Sequence, residues 1–74
     1  MRETLRGYTK PKARAILYEL LPEREATAIF YGDVEQESLN HIADNRLHCS
    51  ESMVKKYRES GYKKLSDHYK ASVL

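Results

Sequence analysis

An all-α fold follows from three observations on these 74 residues. Apolar residues recur at helical spacing in four stretches, residues able to cap a helix precede those stretches, and no run alternates apolar and polar residues long enough to make a strand. Neither Asn-Gly nor Asp-Gly, the strongest short hairpin signals, occurs in the chain. The expected architecture is a small bundle of about four helices, forming a single domain over residues 1–74.

Each element has its own local reason. Thr9 supplies a capping hydroxyl for the first helix, Pro11 suits its first turn, and Ala13, Ile16, Leu17, Leu20 and Leu21 form its apolar face. Pro22 restarts the chain, with Glu23 and Glu25 favourable at the positive end of a second helix. Ala26, Ile29 and Phe30 point that helix inward, and Gly32 is expected to end it. Asp33 or Ser38 begins the third, whose apolar set is Leu39, Ile42, Ala43 and Leu47. Ser50 can accept from the free N–H groups of a fourth helix carrying Met53, Val54, Tyr57, Tyr62 and Leu65. Gly61 falls on that apolar side, where a neighbouring helix needs close approach.

Composition bounds the rest. With 41% hydrophobic residues and no Trp, the chain can build one modest core, a size at which dimerising often adds stability, so a homodimer is compatible with it. Tyr8, Tyr18, Tyr31 and Tyr69 suit half-buried core edges better than base stacking. The net charge of +2 is nearly balanced, but its distribution is not. Residues 1–14 hold five Lys or Arg against one acid, residues 20–44 hold six acids against one Arg, and residues 55–70 turn basic again. Opposite poles are expected, one for DNA and one for a basic partner, although acids at helix starts also simply complement helix dipoles.

Several function classes drop out. No apolar run approaches 18 residues and the basic N-terminus lacks the apolar core of a signal peptide, so no membrane association and a cytoplasmic location are expected. Cys49 stands alone and reads as a small filler of the turn. His41, His48, Cys49 and His68 lack tight metal-ligand spacing, so neither a metal nor another cofactor is expected. Ser50 has no His and acid arranged to activate it, and Gly7, Gly32 and Gly61 are too dispersed for a phosphate loop, so no enzymatic activity is expected.

The informative stretch is residues 38–66, two helical segments with a break between them. At roughly 100° per residue, Val54, Tyr57, Gly61 and Leu65 share one arc, while Ser52, Lys55, Lys56, Glu59 and Lys63 point the other way. A DNA-reading helix-turn-helix needs such a second helix, with an apolar back, small or long polar residues near its start and lysines for phosphates. Ser50, Glu51, Ser52, Lys55, Lys56, Glu59 and Lys63 are therefore the candidate contacts, led by Ser52, Lys55 and Lys56. Glu51 and Glu59 can accept from cytosine amino groups, or Glu59 can pair with Lys55 and Lys63 at i, i+4 spacing. An ordinary solvated helix would carry a similar charged face.

The motifs extend outward from this pair. Leu21, Pro22, Glu23, Arg24 and Glu25, then Ser38 and Leu39, Ile42 and Ala43, Ser50 and Glu51, Val54 and Lys55, and Lys64 and Leu65 resemble, in order, region four of the sigma-70 family of bacterial RNA polymerase subunits. The resemblance covers residues 21–65 and implies a domain that binds double-stranded DNA in the major groove and docks on RNA polymerase. The chain departs from that pattern in one additional residue between Ile42 and Val54, and in Arg58 where an apolar residue is usual. Arg58 is expected to pack its stem and send its head to solvent, leaving Tyr57 to fill the contact. Nothing resembles the family's promoter-melting region, which points to a stand-alone regulator rather than a complete sigma factor. Residues 50–66 are also similar to small phage-encoded sigma-like regulators of the ArpU type. Two other tasks suit the same helices: phage DNA packaging, as in a small terminase subunit, and a module that binds polymerase without touching DNA.

Overall fold

Thr9 leaves the helical region at φ −69° and ψ 160°, and its Oγ1 accepts from the Lys12 N–H at 3.4 Å, which starts α1 (Lys10–Leu20). The computed structural model describes residues 9–73, with side chains described as far as Tyr69. Tyr8 lies outside the described residues. Pro11 sits in the first turn of α1, where its missing N–H removes no bond. The helix stops at Leu21, which is extended at ψ 153° because Pro22 follows it.

Helix α2 (Glu23–Ile29) continues as a wide turn with i+5 bonding over Phe30–Val34. Gly32 lies inside that turn with a negative φ and does not end the helix, contrary to expectation. The terminator is Gln36, left-handed at φ 58°, beside which the Glu37 N–H reaches back to the Tyr31 carbonyl at 2.9 Å. Ser38 then begins the third helix, its Oγ accepting from the His41 N–H at 3.1 Å. That helix, α3, runs Leu39–His41 and again widens over Ile42–Leu47. Left-handed His48, at φ 52°, ends it, and the Cys49 N–H caps the Ala43 carbonyl at 3.0 Å. The wide winding takes up an additional residue within the helix, so only residues 48–50 connect α3 to α4 (Glu51–Val73).

Among the described residues all regular structure is helical, an all-α bundle of four helices. No described helix is long and apolar enough to cross a membrane.

Helix α2 lies at the centre. Residues 25–30 are all buried, not only the expected Ala26, Ile29 and Phe30, because the short side chains of Ala26, Thr27 and Ala28 let neighbours close in all round. Ala26, Ile29 and Phe30 join Ala13, Leu17, Leu21 and Leu65 in one core cluster, with Tyr18, Tyr31, Tyr62 and Tyr69 along its edge. Ala28 joins Ile42, Ala43 and Val54 in a second, edged by Leu39, Leu47, Cys49 and Tyr57. Helix α4 spans both through Val54 and Leu65, eleven residues or roughly 16 Å apart. Leu17, Ile29, Ile42 and Val54 are completely enclosed, and burial of each contributes about 1.5–3 kcal/mol. Gly61 is buried where α4 crosses α2; a Cβ there would lie 2.6 Å from Ile29 Cδ1.

Candidate nucleic-acid interface

Ser50 caps α4, its Oγ accepting from the Met53 N–H at 3.2 Å, and this bond fixes where the candidate face begins. Buried Val54, Gly61 and Leu65 then set its rotation. With that side against the core, Ser52, Lys55, Lys56, Glu59 and Lys63 are all exposed and span an arc of about 100°, with exposed Glu51 at its edge. Six of the seven sequence-derived candidates therefore lie on or beside one exposed face of α4, and exposed Ser50 is the cap that precedes it. Lys63 stands eleven residues beyond Ser52, about 16 Å along the axis, so it suits a phosphate rather than a base near the helix start.

The ion pairs divide the cations into two groups. Lys64 donates to Glu25 Oε2 at 2.8 Å, Arg58 to Asp33 Oδ1 at 2.6 Å and Arg46 to both carboxylate oxygens of Glu37, while Lys10 meets Glu35 at 3.3 Å. Lys55, Lys56 and Lys63 enter no ion pair among the described residues, and the anticipated i, i+4 pairing with Glu59 does not close. The face thus presents three uncommitted ammonium groups. The same pairing dissolves the expected acidic pole, since four of its six acids, Glu25, Asp33, Glu35 and Glu37, are matched by cations from elsewhere in the chain. Arg58 has a partner the sequence did not suggest. Its guanidinium donates to Asp33, while 30% of the side chain stays exposed.

Two further features were invisible to periodicity. Arg24, at the start of α2, donates to the Tyr57 hydroxyl at 3.1 Å and stacks its guanidinium 6.0 Å from the ring centre. That hydrogen bond raises the Arg24 pKa above its ordinary value and holds an exposed cation beside α4. At the start of α3, the hydrogen bonds from Arg46 hold the Glu37 carboxyl below its usual range, and Arg46 lies 4.1 Å over the Tyr31 ring. His41 is exposed there, 3.7 Å from Glu37, and its carbonyl accepts from Asn45 Nδ2 at 3.3 Å. Cys49 packs at the edge of the second cluster. No three described His, Cys, Asp or Glu side chains converge to hold a metal ion.

Comparison of the chain with protein-family models, with curated proteins and with solved structures finds no match. The functional reading therefore rests on the face itself.

Proposed function

We propose that this chain is a sequence-specific DNA-binding protein, a transcriptional regulator of phage or prophage type. In this reading α3 and α4 act as a helix-turn-helix like that of sigma region four. One observation carries it: among the described side chains of α4, Ser52, Lys55, Lys56 and Lys63 are exposed and unpaired on one side, while the other strong cations, Arg58 and Lys64, are committed to the scaffold. Lysines left out of such pairing are available to displace counterions from phosphates. The serine and the two adjacent lysines near the helix start have the reach and donors for base edges in the major groove, most simply a lysine to guanine N7 or O6. Glu51 and Glu59 complete the panel as acceptors for cytosine. Docking on polymerase through an acidic patch has weaker support, because most of those acids are satisfied within the chain.

The test combines selection of bound duplexes from random DNA with anisotropy titrations over a salt series. Replacing Lys55, Lys56 or Lys63 by alanine is expected to lower the log-affinity against log-salt slope by about one where that residue meets a phosphate. Among Ser52, Lys55 and Lys56, at least one alanine variant is expected to lose about 1–3 kcal/mol on the selected site and little on scrambled DNA. Absence of binding at about 50 mM salt and micromolar protein overturns the reading in favour of a polymerase-binding module.

A further inference from the structure

We propose that the ion pair between Asp33 and Arg58 is a positioning device: it sets the rotation of α4 about its axis, and thereby which side chains of that helix face a duplex. The second clause of this inference rests on the DNA-binding reading, and the first does not. The geometry is specific. Arg58 lies on the same helix as Lys55 and Glu59, one turn from each or adjacent, but on the packed side. Its guanidinium donates to Asp33 Oδ1 at 2.6 Å, and the Asp33 side chain is only 8% exposed.

Asp33 is carried by the wide turn Phe30–Val34, so a feature of α2 reaches across to grip α4. Gly32 leaves the space for that grip. A Cβ on Gly32 would stand 3.3 Å from Arg58 Nε and 3.4 Å from Cζ, hard against the guanidinium. The Tyr62 ring, centred 5.9 Å from Cζ, also lies near the guanidinium.

The pair is poorly suited to a purely stabilising role. Asp33 Oδ2 and Arg58 Nε are buried without hydrogen-bond partners, so part of the desolvation penalty of both charges goes unanswered. An apolar pair of similar volume would serve stability as well or better. What it would lack is direction. A charge-assisted N–H···O bond has a preferred direction even when, as here, one nitrogen meets one oxygen, whereas apolar side chains slide and rotate against one another more freely. Val54, Gly61 and Leu65 settle which side of α4 is buried and Lys64 adds a bond to Glu25, but the non-directional apolar contacts leave a residual range of axial rotation. Arg58 lies between Val54 and Leu65 along the helix, and its single bond to Asp33 narrows that range.

The decisive experiment compares the full chain with the double variant Asp33→Leu, Arg58→Met and with Arg58→Lys, which keeps the charge but loses the planar fork. Thermal melts come first. The double variant is expected to melt at or above the temperature of the parent. Spin labels at exposed positions, Glu19→Cys and Ser60→Cys in a Cys49→Ser background, then report the placement of α4 without any DNA. A single narrow distance distribution is expected for the parent, and a broadened or displaced one for the double variant and for Arg58→Lys. On DNA, the preference for the selected site over scrambled DNA is expected to fall about tenfold in the double variant, with binding to scrambled DNA retained.

Unchanged distance distributions in both variants overturn the positioning role whatever happens on DNA. Altered distributions with an unchanged site preference overturn its link to readout. If the parent itself binds no DNA while the distributions change as expected, the DNA-binding reading fails and the positioning role stands. A double variant that does not fold, together with an Arg58→Lys protein of parental geometry, shows that the pair serves stability alone and overturns the inference.

Discussion

Replacing Gly61 by alanine tests how closely α2 and α4 approach. At an open helical site the change would stabilise by about 0.8–1.0 kcal/mol, because alanine loses less backbone entropy. Here the new Cβ falls 2.6 Å from Ile29 Cδ1, and 3.4 Å from both Glu25 Cβ and Leu21 Cδ1. Carbon atoms rest about 3.5–4.0 Å apart, so the Ile29 methyl must retreat by about 1 Å. Ile29 is fully buried, so its methyl can retreat only against other core side chains. Overpacking of this kind costs about 1–3 kcal/mol, which outweighs the propensity gain and leaves a net loss of about 1 kcal/mol. At about 0.05–0.15 kcal/mol per residue the domain has enough stability to remain folded. Urea denaturation is the assay: with a slope near 1 kcal/mol/M, the midpoint is expected to fall by about 1 M. Ile29→Val deletes the offending methyl. Alone it is expected to cost about 0.5–1.5 kcal/mol, yet in the Gly61→Ala background it should restore stability, a coupling of about 1 kcal/mol. A rise in midpoint for Gly61→Ala, or strict additivity of the two changes, would refute the close contact.

Other substitutions probe different links of the chain from sequence to fold. Val54→Ala and Leu65→Ala are each expected to cost about 2–4 kcal/mol in thermal melts, whereas Lys56→Ala should change stability hardly at all; a harmless Val54→Ala would mean the faces of α4 are reversed. His48 is left-handed at φ 52°, so His48→Gly should relieve about 1–2 kcal/mol of Cβ strain, less the greater entropy glycine has when unfolded, and raise the melting temperature. A lower melting temperature would show that the His48 side chain contributes more than its backbone strain costs. The Glu37 carboxyl is held below its ordinary value of 4.5 by Arg46, so its contribution is present above that pH and fades as pH falls through the lowered value. Melts of parent and Glu37→Gln should therefore differ near neutrality and converge in acid; a constant gap across the series would remove the charged bond as the cause.

Much of the local architecture was legible because its causes are local. Thr9, Ser38 and Ser50 cap helices through bonds to residues three positions on, and that chemistry can be read directly from the order of residues. Periodicity placed Ala13, Leu17, Ile29, Ile42, Val54 and Leu65 inside, and put the six candidate contacts carried by α4 on its exposed side, since both follow from 3.6 residues per turn. Gly61 was recognisable as a point of approach because it fell on an apolar arc where a side chain would otherwise stand.

The tertiary structure alone decided the partners of charges far apart in the chain. Lys64 meets Glu25 across 39 positions, Arg24 meets Tyr57 across 33 and Arg58 meets Asp33 across 25. No period links such positions; they become neighbours only after the helices pack, when burial makes an unpaired charge costly. The same packing turned an apparent acidic pole into the other half of the scaffold's ion pairs. It also overruled Gly32 as a helix end: the wide turn carries the chain past it to Gln36, and the missing side chain serves the Arg58 guanidinium instead. By itself the sequence determined the helices and the sides they expose, because hydrogen bonds within a helix span only a few residues. Which cations remained uncommitted on α4 was decided by the fold, because an ion pair forms wherever three-dimensional proximity brings opposite charges within reach.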